Sequence, residues 1–152
     1  MHDTKAPPGG ILAACVVPWD ADGQFLGGPF RKQVRAIAGS LTKQLYLFGT
    51  AGEGYEVTEG QFDEIVDAFL EECGPLGIQP MIGLISLSTG TLVERIQRCR
   101  ARGVRQFQIS LPAWHAVSDT ELAAFFRATC GQFPDCRFLH YNLLRTKRLL
   151  TV

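Results

Sequence analysis

Long apolar runs, an excess of charge of either sign, and closely spaced cysteines or histidines are all missing from this sequence. The longest apolar run, Ile11 to Val17, is far too short to cross a bilayer, so no membrane span is expected. Met1 to Gly10 lacks the apolar stretch of a secretory signal, which points to a cytoplasmic chain. Fifteen Lys+Arg balance fifteen Asp+Glu, leaving a formal net charge of zero. That balance provides neither a broad basic face for nucleic acid nor an acidic tail. The five cysteines, Cys15, Cys73, Cys99, Cys130 and Cys136, are odd in number and form no Cys-x-x-Cys pair. Small buried thiols in a reducing compartment are expected rather than a disulfide framework or a zinc knuckle. His2, His115 and His140 are too scattered to suggest a metal site.

What is present is the composition of a globular α/β protein. Of 152 residues, 46% are hydrophobic and 20% charged, too apolar for a disordered chain. We expect one domain over 11–152 behind a tail over 1–10. A complete eightfold barrel needs roughly 250 residues, more than this sequence holds.

Hydrophobic patterning alternates between strand and helix. Ile11–Val17, ended by Pro18, reads as a strand buried on both faces, and Asp20-Ala-Asp-Gly23 as the turn behind it. Phe30, Val34, Ile37 and Leu41 recur at helical spacing, and Leu45–Phe48 is a short strand stopped by Gly49. Thr58 with Gln61 forms a capping box ahead of a stripe of Phe62, Ile65, Val66, Phe69 and Leu70, with Gly74-Pro75 as the stop signal. Met81–Ile85 is the third strand. Thr91 and Glu94 suggest a second box, opening a stripe of Leu92, Val93, Ile96 and Cys99 that Gly103 ends. Phe107–Leu111 is the fourth strand, and Ser118 with Glu121 a third box. Leu122, Phe125, Phe126 and Phe133 face inward from the next helix, which Pro134 closes. Arg137–Tyr141 is the fifth strand.

This spacing is that of repeated strand–helix units in a parallel sheet, so the fold class is α/β with the pattern (βα)4β. Right-handed crossovers put all the strand C-terminal ends on one side, where ligands bind in open sheets and barrels alike. Candidate residues therefore lie at those ends. Gly49-Thr-Ala-Gly-Glu-Gly54 is the densest signal: a glycine-rich loop able to bring backbone N–H groups and the Thr50 hydroxyl to an anion, or a tight turn before a capped helix. Tyr141 ends an apolar strand, as a core tyrosine or as a phenol reaching the ligand face. Arg145 either grips a carboxylate or is a solvated surface residue. Trp19 and Trp114 line a pocket or cap the sheet. His140 has the opposite parity to Tyr141 and is expected to pack under a helix.

These residues resemble the dihydrodipicolinate synthase / N-acetylneuraminate lyase family of Schiff-base aldolases. Gly49-Thr-Ala-Gly-Glu53 is similar to that family's Gly-Thr-Thr-Gly-Glu signature, and Tyr141-Asn142 to its Tyr-Asn motif ending strand five. Val17-Pro-Trp19 with its following turn is similar to the family's Thr-Pro-Phe opening. The resemblance implies the first five strands of a (β/α)8 TIM barrel, a homo-oligomer in full-length relatives, and a small 2-oxo acid as substrate. It implies no cofactor, because the imine itself serves as electron sink. By the same resemblance, Tyr141 would relay protons to the imine carbon chain, and Thr50 would pass protons to Tyr141. The backbone amides of Thr50 and Ala51 would hold the substrate carboxylate. Arg145 would stand at the mouth of the site.

The departures matter for chemistry. Ala51 replaces a second threonine and Val17 the threonine of the opening motif. Trp114 stands where many members have a tyrosine, and an indole N–H donates but cannot shuttle a proton as a phenol can. Arg145 sits one residue closer to the tyrosine. The imine lysine would fall beyond Val152. Of the lysines present, Lys5, Lys32, Lys43 and Lys147, none is on a buried strand where desolvation would free the amine. The expectation is therefore a lyase or synthase of this family that is inactive as an isolated chain. The alternatives are a non-catalytic fragment, a small carboxylate-binding module, or an open five-stranded α/β binding protein. Free edges on strands one and five would favour self-association.

Overall fold

A computed structural model of the chain describes residues 10–151, so the expected tail lies, Gly10 apart, outside the described residues. Five parallel strands form one sheet in the order β1 (Ala13–Ala14), β2 (Leu45–Leu47), β3 (Met81–Gly83), β4 (Gln106–Ile109) and β5 (Arg137–His140). Helices α1 (Gly27–Ser40), α2 (Glu59–Leu76), α3 (Thr89–Ala101) and α4 (Asp119–Ala128) alternate with them. This is the (βα)4β part of a TIM barrel.

The helices cover one face of the sheet. Leu45 and Leu47 of β2, Ile82 of β3, and Phe107 and Ile109 of β4 are buried on that side, with Phe30 and Val34 of α1 and Phe62, Ile65 and Phe69 of α2. The other face, lined by Tyr46, Met81, Gln106 and Arg137 in register, is the concave inner face and is less well covered. This corrects the reading of Ile11–Val17 as buried on both faces. Only Ala13 and Ala14 form a named strand, Cys15 and Val17 are buried, and Ile11 and Val16 are exposed. A strand at the edge of a sheet with one helix layer has one protected side.

The helix ends follow side-chain chemistry, with three corrections. Both the Thr58–Gln61 and Ser118–Glu121 boxes form. On α3 the cap is Ser88, whose hydroxyl accepts from the Thr91 N–H, so the Thr91–Glu94 box does not form. Helix α2 runs through Pro75 to Leu76 and ends at Gly77, whose φ of 65° suits glycine. Its last turn tolerates the proline that was read as a stop. Helix α4 ends at Ala128, and Phe133 enters the core from the segment behind it.

Ion pairs clamp the helix layer. Along α2, Glu59, Asp63 and Asp67 face Arg95 and Arg98 of α3 and Arg102 at its C-cap, with Arg98 Nε 3.1 Å from Asp63 and Arg102 Nε 2.7 Å from Asp67. Arg35 of α1 grips Glu72 of α2 with two 2.6 Å hydrogen bonds. Among the described residues, no helix is long and apolar enough to cross a membrane.

Candidate functional site

All five strand C-terminal ends point the same way, and the loops behind them carry the candidate residues. The turn at Asp20–Gly23 forms as expected: Asp20 Oδ1 accepts from the Asp22 and Gln24 N–H groups at 2.9 and 2.8 Å. It leads back from Trp19, whose indole N–H donates to Glu53 Oε2 at 3.1 Å. The end of β1 is thereby tied to the glycine loop.

That loop is built by close packing. A Cβ at Gly52 would stand 2.7 Å from the Cys15 carbonyl oxygen, and one at Gly54 would stand 2.6 Å from Phe48. Across on β3, a Cβ at Gly83 would meet the Phe48 oxygen at 2.2 Å. Phe48 itself takes a positive φ of 63°, so the chain leaves β2 through a strained residue over a glycine. Within the loop, the Gly52 N–H donates to the Gly49 oxygen and the Glu53 N–H to the Thr50 oxygen. The N–H groups of Thr50 and Ala51 find no acceptor among the described residues.

A cavity of about 460 Å³ opens beside this loop. Thr50 and Arg145 both line it, together with Tyr55, Ser86, Ser110 and Arg95. Ala51 and Tyr141 are not among its lining. Tyr141 continues the β5 ladder, its N–H donating to the Ile109 oxygen at 2.8 Å, and its side chain is 39% exposed. The structure thus joins Thr50 to Arg145 in one cavity wall and leaves Tyr141 on the inner face, outside that wall. Trp114 is 77% exposed and is not part of this cavity's wall. His140 packs beneath α4 as its parity requires, edge-on to Phe126 with ring centroids 5.8 Å apart. Burial pushes its imidazole below the ordinary histidine range.

Arg95 escaped the sequence reading. It is 4% exposed and donates to Glu59, to the Gly54 oxygen at 3.3 Å and to the Ile85 oxygen at 3.4 Å. It binds the end of the glycine loop to the end of β3 and forms the cavity wall. Burial pushes the Glu59 carboxyl up, and the hydrogen bonds from Arg95 and Arg98 outweigh it, leaving Glu59 below the usual carboxylate range. Ser110 was also missed; its position inside an apolar strand is the signal that would have found it.

No protein-family model matches the chain. A 4-hydroxy-tetrahydrodipicolinate synthase from Synechococcus is 26% identical over 140 residues, covering 92% of this chain and 46% of that protein. One from Methylobacterium radiotolerans is 33% identical over 120 residues, covering 78% of this chain and 39% of that protein. The solved sialic acid aldolase of Ruminococcus gnavus superposes with a TM-score of 0.84 at 15% identity, over 93% of this chain and 47% of that one. The chain belongs to the dihydrodipicolinate synthase / N-acetylneuraminate lyase family. It spans about half the length of the curated relatives it matches, and the match is to the N-terminal part of the family's barrel. The glycine loop and the Tyr-Asn pair described above lie at the ends of strands two and five of that barrel.

Proposed function

We propose that this chain carries the carboxylate-binding and proton-handling part of a lyase or synthase site for 2-oxo acids of the pyruvate type. The observation that supports this best is the pair of Thr50 and Ala51 N–H groups without an acceptor, at a loop whose Thr50 shares a cavity with Arg145. Two adjacent amides suit the two oxygens of a carboxylate. Arg145, which makes no ion pair among the described residues, offers a fork for a second acidic group at the mouth. Tyr141 would move a proton to and from the carbon next to the carbonyl, with the Thr50 hydroxyl as its relay.

The covalent step needs an amine. It condenses with the 2-oxo group to form an imine and release water. Lys147 is exposed, and its Nζ donates to the Trp114 oxygen at 2.9 Å, which ties it to the loop behind β4. We assign the amine of this reading to none of the described lysines. The isolated chain would bind a 2-oxo acid without turning it over.

Pyruvate titrated into the 15N-labelled chain should shift the amide signals of Thr50 and Ala51. Borohydride added with pyruvate should leave the mass of the chain unchanged. Absence of amide shifts at saturating pyruvate would sink the binding claim. A reduced adduct on Lys147 would overturn the claim that this chain lacks its own amine.

A further inference from the structure

We propose that the Tyr46 hydroxyl is a third donor to the carboxylate seated on the Thr50 and Ala51 amides. This rests on the reading of those amides given above and adds a binding residue to it.

The register puts Tyr46 on the inner face. It pairs with Ala14 on β1 and Met81 on β3, and the row continues through Gln106 to Arg137. Side chains alternate along a strand, so Tyr141, an even number of residues beyond Arg137, shares that face. The neighbours of Tyr46 in sequence, Leu45 and Leu47, are fully buried under the helices.

The phenol does not stay at the level of its own backbone. A Cβ at Gly49 would lie 2.4 Å from Tyr46 Cε2 and 2.5 Å from its hydroxyl oxygen. The ring therefore leans along the strand and delivers its O–H to the residue that opens the glycine loop. Only glycine leaves room for it there. The side chain is half-buried, yet its hydroxyl has no partner among the described residues. That hydroxyl is not enclosed by protein, so it stays open to a ligand on the inner face.

Its neighbours cannot supply an acceptor. The next two residues after Gly49 present N–H groups that themselves lack one. Glu53 Oε2 accepts from the Trp19 indole, and neither oxygen of that carboxylate accepts from the Tyr46 hydroxyl. Three donors without an acceptor meet at Gly49–Ala51, and one anionic group satisfies all three. The phenol is in the right protonation state for this. Burial raises it above the ordinary tyrosine value, and Tyr141 and Cys15 add to the shift. It remains an O–H donor throughout the neutral range.

The test uses the full chain with 13Cζ-labelled tyrosine. The Tyr46 phenol is titrated with and without saturating pyruvate, with methyl pyruvate as the control that lacks the carboxylate. An anion beside the phenol disfavours its ionisation, so pyruvate should raise the Tyr46 titration midpoint and methyl pyruvate should not. Tyr46→Phe should weaken pyruvate binding roughly tenfold or more, the worth of a hydrogen bond to a charged group. If pyruvate shifts the Thr50 and Ala51 amides while the Tyr46 midpoint and the Phe variant's affinity stay unchanged, Tyr46 is no donor and the broader function survives. If pyruvate leaves those amides untouched, both readings fall. Should the Phe variant not fold, the wild-type titration decides.

Discussion

Arg95 donates to one oxygen of Glu59 twice, from Nε at 3.0 Å and from Nη2 at 2.6 Å, while its guanidinium lies 4.4 Å above the centre of the Phe62 ring. One side chain thereby links the N-terminal turn of α2 to α3 and holds the Gly54 and Ile85 carbonyls beside the cavity. Removing one partner of a buried pair leaves the other without compensation. Glu59 is half-exposed and can be rehydrated, whereas the two carbonyls and the ring lose their cover. Arg95→Ala should therefore cost about 2–3 kcal/mol in urea unfolding. Glu59→Gln should cost clearly less. Equal losses for the two would mean that the ion pair, and not the carbonyl and ring contacts, carries the effect.

Gln108 makes the opposite case. It is 2% exposed on the inner face of β4, and neither polar atom of its amide has a hydrogen-bond partner. A buried amide left in this way loses solvation without return. Gln108→Met keeps the length and removes the polar atoms, and should raise stability by about 1 kcal/mol in chemical denaturation. A loss of that size would show that the amide is in fact satisfied in solution.

Much of this architecture was legible because strand and helix periods are local. The boxes at Thr58–Gln61 and Ser118–Glu121 needed only residues three apart. The parity of β5 placed His140 under α4. What escaped was set by distant partners. Position 95, three residues after Leu92 and four before Cys99, lies at the edge of the apolar stripe of α3, and local spacing does not reveal its partner because Glu59 lies in another helix. The inner side of β1 looked buried because Val16 is as apolar as Cys15 and Val17, and composition does not tell which face a helix layer covers. Tyr46 was passed over as one residue of a short apolar strand. Its alternation with Leu45 and Leu47 was the available clue.

The thiols should divide by depth. Burial pushes Cys15, Cys73 and Cys99 up to about 12, so their reactive thiolate is scarce at pH 8. Cys130 and Cys136 are only partly buried. A disulfide reagent added to the native chain should label Cys130 and Cys136 first and reach the other three only on unfolding. The same shifts have a stability consequence. Unfolded thiols lose protons near 9 while the folded ones keep theirs, so the folded state binds more protons and stability falls as pH rises from about 9 to 12. Prompt labelling of Cys15 at pH 8 would contradict its burial in the core.

His140 governs the acid side. Its folded value lies below the ordinary 6.5 because burial disfavours the charged ring. As pH drops below 6.5, the unfolded chain takes up a proton that the folded one refuses, and stability declines. Glu59 and Glu72, both held below the usual 4.5 by arginines, add their loss only at lower pH. Denaturation curves from pH 7.5 to 5.5 should therefore slope downward in the wild type and flatten in His140→Leu. An unchanged slope in that variant would remove the histidine from the account.

The inner face should make the chain self-associate. Strands β1 and β5 stand at the two edges of the described sheet, each with one side unpaired. On the concave side Leu139 is 44% exposed beside Tyr141 at one edge, and Val16 is 48% exposed at the other. Exposed edges and apolar surface of this kind draw other chains. Sedimentation of the 152-residue chain should show oligomers that grow with concentration. Leu139→Lys should reduce them without lowering the melting temperature, since the leucine contributes little to the helix-covered core. The charge acts on the free face alone, so a variant that stays equally associated would shift the contact to another surface. A wild-type chain that sediments as a monodisperse monomer at high concentration would show that the concave face is content with water.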